Sequence, residues 1–144
     1  MQVNPYVVFN GNCAEALAFY EKAFNGKIGM ISRYKDAPAA EGYVTPPEVG
    51  ELILHAQLDI GGAVIMFCDT SPHLPYNVGN NIMLSVAFDS EDATKAAFAG
   101  LKDGGTVVME MQETFWSKCF GMVTDKYGVT WQTTVVGRAH VTHK

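Results

Sequence analysis

Basic residues are scarce in this sequence. Ten lysines and arginines stand against 15 aspartates and glutamates in 144 residues, a formal net charge of −5. Nucleic acid and anionic membrane surfaces call for clustered lysine and arginine, and no such cluster is present. Cysteine is equally thin: Cys13, Cys68 and Cys119 are odd in number, far apart and without Cys-x-x-Cys spacing. They read as reduced cytoplasmic thiols filling small apolar positions, not as a disulfide framework. No apolar run approaches the roughly 20 residues of a membrane span, and the N-terminus lacks a signal peptide's basic and apolar regions. A G-x-S-x-G elbow, a P-loop and a G-x-G-x-x-G after a strand are also missing, which sets aside the chemistries that those motifs serve.

What is present is an apolar chain, 48% hydrophobic and 17% charged, long enough to bury a core as a single domain over 1–144. Residues 3–9 form a β-rich run. Asn12 then stands as a helix N-cap with Glu15 in the capping-box place. Ala16, Phe19, Tyr20, Ala23 and Phe24 follow at helical spacing, and Gly26 sits where a left-handed cap belongs. Strands are expected over 27–35, 52–60 and 63–68, the last two joined across Gly61-Gly62. Residues 36–50, with Pro38, Pro46 and Pro47, read as an irregular loop.

The plan then repeats. A linker over 69–80 leads to a strand at 81–89 and a helix capped by Ser90, striped by Thr94, Ala97, Phe98 and Leu101 and stopped by Gly104. Strands over 106–111, 120–124 and 129–136 complete this half, with a type I turn at Asp125–Gly128 in the last hairpin. Ser90 lies 78 residues after Asn12, and Gly104 lies 78 after Gly26. Each half is strand, helix and three strands: module one about 3–68, module two about 81–136, tail 137–144.

Alternation assigns faces. Leu54, Ala56, Leu58 and Ile60 oppose His55, Gln57 and Asp59. Ile82, Leu84, Val86 and Phe88 oppose Asn81, Met83 and Ser85, and Trp131 opposes Gln132 and Thr134.

Gln112-Glu113-Thr114-Phe115-Trp116, then Phe120-Gly121, then Val123-Thr124-Asp125-Lys126-x-Gly128-Val129-x-Trp131 closely resembles the PhnB-like branch of the vicinal oxygen chelate superfamily. Glyoxalase I, bleomycin-resistance proteins and extradiol dioxygenases belong to that superfamily. Pro5-Tyr6, Gly11-Asn12-Cys13-Ala14-Glu15-Ala16 and Phe19-Tyr20 carry the resemblance at the other end. It implies an α+β fold of two βαβββ modules, with curved mixed sheets, helices on the convex side and a concave cleft. It also implies a homodimer.

Metal-dependent members of the superfamily hold one divalent ion, and the resemblance places the corresponding positions at Pro5, Met66, Asn81 and Gln132. Proline and methionine supply no hard oxygen or imidazole nitrogen, and the two amides carry no charge. No metal and no cofactor is therefore expected. His55, with Asp59 or Glu113, is the remaining route to a non-standard metal site. A histidine making hydrogen bonds is its plainer reading. His73, His140 and His143 read as surface residues.

Two functions follow as expectations. The first is a metal-independent protein binding an unidentified small molecule. Phe115 and Trp116 stack on that ligand, while His55, Gln57, Asn81, Glu113 and Gln132 orient it. The alternative is an enzyme of lyase, isomerase or dioxygenase ancestry whose reassigned site uses His55 and Glu113 for proton transfer. Some relatives carry ubiquinone-pathway methyltransferase labels, but nothing here resembles the glycine-rich turn of methyl-donor-binding folds.

Overall fold

β-Branched and aromatic residues gather in eight short runs, each bounded by glycine, proline or polar turn formers, and each run is a strand. The computed structural model describes residues 1–38, 45–71 and 74–137. Pro72, His73, His140, His143, the segment 39–44 and the end of the tail lie outside them. The chain divides into two compact units, Met1–Asn77 and Val78–Lys144.

The first unit contains β1 (Tyr6–Phe9), α1 (Cys13–Phe24), β2 (Lys27–Arg33), a short α2 (Pro47–Gly50), β3 (Ile53–Ile60) and β4 (Ala63–Asp69). The sheet order is β1-β4-β3-β2, with β1 parallel to β4 and the other pairs antiparallel. The second unit contains β5 (Leu84–Phe88), α3 (Glu91–Leu101), β6 (Thr106–Gln112), β7 (Phe120–Thr124) and β8 (Thr130–Val135). Its order, β5-β8-β7-β6, repeats the pattern, again with one parallel pair. Two βαβββ modules of an α+β fold are thus present.

Each helix covers one face of its sheet. Cys13, Ala16, Leu17, Tyr20 and Phe24 of α1 are buried, with Tyr20 against Phe9 and Phe67. In α3 all four expected stripe residues, Thr94, Ala97, Phe98 and Leu101, are buried. Trp131, Val123 and Leu101 are fully enclosed, and each such side chain stabilises the fold by roughly 1.5–3 kcal/mol. The Gly61-Gly62 turn has positive φ at both residues, 58° and 96°, as a type I′ hairpin requires. No helix among the described residues is long and apolar enough to cross a membrane.

Several boundaries differ from the sequence expectation. Asn12 makes no side-chain cap bond. The amides of Gly11 and Cys13 donate instead to Asp69 Oδ1, both at 2.9 Å, and Asp69 Oδ2 accepts from Ile53 N–H. Asp69 therefore closes β4 as a buried residue and is no part of a linker. The left-handed cap of α1 is Asn25, at φ 51°, one residue before the expected glycine. Gly26 serves close approach: a Cβ there would lie 2.9 Å from the Asp59 carbonyl oxygen. Register shifts between β2 and β3 make Ile53, not Leu54, the buried residue at the start of β3. β5 begins at Leu84, so Asn81, Ile82 and Met83 precede it and are exposed.

Candidate functional site

The face of the first sheet away from α1 carries Tyr6 and Val8 on β1, Met66 and Cys68 on β4, and His55 and Gln57 on β3. The strand register brings three of these into one chain of hydrogen bonds. Gln57 Nε2 lies 3.1 Å from His55 Nε2. An amide nitrogen can only donate, so His55 Nε2 accepts, and the neutral ring carries its hydrogen on Nδ1. That hydrogen is donated to Tyr6 Oη at 2.9 Å. Tyr6 also lies beside the Cys68 thiol and interacts with it. Desolvation, followed by the interaction with Cys68, pushes the Tyr6 phenol up to about 12, so it remains a donor at neutral pH. Burial likewise raises the Cys68 thiol, which stays protonated there as well.

His55 and Gln57 are thus brought together as expected, and Tyr6 and Cys68 join them. The sequence reading missed these two as site residues. Alternation along β1 and β4 carried the signal, because it sets Tyr6 and Cys68 opposite the buried Phe9 and Phe67. Asp59 serves the hairpin instead, its Oδ1 accepting from Gly62 N–H at 2.8 Å.

In the second unit, the face away from α3 carries Ser85, Met122, Thr124, Thr130, Gln132 and Thr134. Gln132 is half-buried and paired with Ser85 on one side and Met122 on the other. Thr124 and Thr130 share a hydrogen bond of 2.7 Å across the strands.

The 113–119 segment is pinned from beneath by Ser117, which is fully buried. Its carbonyl accepts from Thr114 N–H, its hydroxyl donates to the Cys119 carbonyl, and Thr134 Oγ1 donates to Ser117 Oγ at 2.7 Å. This hub was not singled out in the sequence reading, because its partners lie on another strand. It holds two rings outward: Phe115 is 73% exposed and Trp116 44%. They meet edge to face at 4.7 Å, and Trp116 stands edge-on to Phe120 at 5.3 Å. Glu113 is exposed on the same segment.

Beneath the last hairpin, Asp125 is buried and does structural work. Oδ1 accepts from Tyr127 and Val129 N–H, while Oδ2 accepts from the Trp131 indole at 2.8 Å. The Asp-x-x-Gly-x-x-Trp spacing is therefore a turn lock. His55 lies in the first unit and Glu113 in the second.

The positions that the resemblance gives to a divalent ion do not fit one. The Pro5 carbonyl accepts from Met66 N–H at 2.9 Å within the sheet, and Met66 offers only a thioether. Asn81 is exposed outside any strand, and Gln132 is a neutral amide. No group of three or more His, Cys, Asp and Glu that could hold a metal occurs among the described residues.

The model of the Glyoxalase/Bleomycin resistance protein/Dioxygenase superfamily matches residues 2–133. Protein YjdN of Escherichia coli K12 is 31% identical, covering 94% of this chain and 96% of its own length. The crystal structure of protein PA1353 from Pseudomonas aeruginosa is 33% identical, with a TM-score of 0.82 over 94% of this chain and 97% of that one. A PhnB protein from Bacillus cereus is 27% identical, with a TM-score of 0.71 over 94% of this chain and all of that one.

Proposed function

For a chain that belongs to the glyoxalase/bleomycin resistance protein/dioxygenase superfamily, we propose metal-independent binding of a small molecule. The observation that carries this is the engagement of His55. Both of its ring nitrogens are committed to uncharged neighbours, Tyr6 and Gln57, which leaves neither free for a metal. In this reading His55 and Gln57 supply polar contacts on the first unit, while on the second Asn81, Glu113 and Gln132 supply polar contacts and Phe115 and Trp116 supply stacking area.

The protein works as a cytoplasmic homodimer in this reading. Three free thiols suit a reducing compartment, and each sheet has two edge strands that a second copy can protect. A monomer by light scattering at micromolar concentration would refute the assembly.

Trp116→Ala tests the binding. It should weaken capture of aromatic small molecules by about 1–3 kcal/mol, the scale of a lost stacking ring. Its 44% exposure predicts that the fold survives. Unfolding of the variant, or unchanged affinity in a folded variant, would count against the assignment. Elemental analysis finding one tightly held zinc, nickel or iron per chain, lost in His55→Ala, would overturn the metal-independent reading.

A further inference from the structure

The open face of the second sheet is a small grid set by strand register, and Gln132 is at its centre. Ser85 and Met122 flank it across the strands, with Thr130 and Thr134 before and after it along β8. Both threonine hydroxyls are already committed, Thr130 to Thr124 and Thr134 to Ser117, each at 2.7 Å. Among the described residues the Gln132 amide and the Ser85 hydroxyl have no hydrogen-bond partner. Along β6 the exposed Thr106, Val108, Glu110 and Gln112 alternate with Val107, Met109 and Met111, so the four strands bring one carboxylate and no positive charge to this face.

A primary amide holds its carbonyl acceptor and its N–H donors in one plane. Half-buried without a partner, it costs stability until water or a ligand meets it. Its best complement is an edge with a donor beside an acceptor, the arrangement by which glutamine reads adenine in nucleic acids. A carboxylate matches poorly, since it offers two acceptors and finds no countercharge on these strands. Apolar contact is at hand: the Met122 thioether favours aromatic neighbours, and Trp116 reaches Phe120, which pairs with Thr134.

We propose that Gln132 is the specificity-determining residue of this face, selecting an uncharged aromatic ligand whose edge carries a hydrogen-bond donor beside an acceptor, as a carboxamide or lactam does. The inference rests on the binding function proposed above and names the ligand class.

The test uses the full chain, ¹⁵N-labelled, titrated by NMR with benzamide, acetophenone and benzoate. Benzamide should bind about tenfold more tightly than acetophenone, which has the acceptor but no donor. Benzoate should be the weakest, and the Gln132 side-chain NH₂ signal should shift with benzamide. In Gln132→Leu the benzamide-to-acetophenone ratio should fall to near one, because benzamide loses two hydrogen bonds and acetophenone one. Gln132→Glu, which keeps the acceptor for the benzamide N–H but loses the donor to the ligand carbonyl, should hold or raise the ratio and guards against a packing artefact in the leucine variant. A ratio that survives Gln132→Leu, a ratio that falls in Gln132→Glu, or benzoate binding as tightly as benzamide, overturns the inference and leaves the binding function standing. If none of the three probes shifts any resonance up to its solubility limit, the binding function falls and takes the inference with it.

Discussion

The two modules repeat one plan of strand, helix and three strands, yet they finish their helices and their open faces differently. In the second, Ser90 caps α3 locally by accepting from Ala93 N–H at 3.1 Å. In the first, the residue in the matching place, Asn12, makes no cap bond, and Asp69 arrives from β4 to take the amides of Gly11 and Cys13. The open faces diverge in the same way. The first sheet closes its polar groups into the Gln57–His55–Tyr6 chain, whereas the second leaves Ser85 and Gln132 without a hydrogen-bond partner among the described residues. A shared backbone plan thus constrains neither where the stabilising bonds come from nor which face stays available to a partner.

Removing the long-range cap should give the largest effect. Asp69→Ala strands three N–H donors, two of them in buried bonds, so we expect a loss of about 2–5 kcal/mol in urea unfolding. Asp69→Asn should cost less, since its carbonyl can still serve Gly11 and Cys13 while its NH₂ opposes Ile53 N–H. Equal losses for the two variants would mean that the helix-side bonds contribute little.

Alkaline pH probes the same corner. The buried Cys13 thiol, beside Asp69, is pushed up to about 12, mainly by burial and then by the Asp69 charge and Cys68. The unfolded thiol ionises near 9, so between about 9 and about 12 the unfolded state sheds a proton that the folded state retains. This contribution is fully present below pH 9 and is lost as pH rises, by at most roughly 1.4 kcal/mol per unit. Cys13→Ala should flatten that slope in chemical denaturation across the window; an unchanged slope would assign it to other groups.

The caps themselves give the smaller effects. Ser90→Ala should cost about 1 kcal/mol. Asn12→Ala should stay within about 0.5 kcal/mol because no cap bond is lost. Paired thermal melts decide the matter, and comparable costs for the two would erase the contrast between the modules.

How much of this was legible depends on how far apart in sequence the partners lie. The α3 stripe, the Ser90 cap, the Gly61-Gly62 turn and the Asp125 turn are written within a few neighbouring residues, and periodicity or spacing exposes them. Both βαβββ modules were visible for the same reason. Asp69 capping α1, Thr134 reaching Ser117 and Tyr6 meeting His55 depend on strand order and register, which alternation does not specify. Even so, alternation along β3 and β8 put His55 with Gln57 and set Gln132 opposite Trp131. Asn81 precedes β5, which begins at Leu84, three residues later than the apolar pattern suggests.

Asp69 also sets the order in which the chain can assemble. Gly11 and Cys13 emerge from the ribosome 58 and 56 residues before the carboxylate that receives their amides. Through most of the synthesis of the first module, α1 can form only as a frayed segment, with its leading amides bonded to water. Completion waits for β4, so helix, hairpin and parallel pair should appear in one late cooperative step. α3 carries its cap within its own first turn and needs no such delay, so a nascent chain should hold a formed second helix while its sheet is still incomplete.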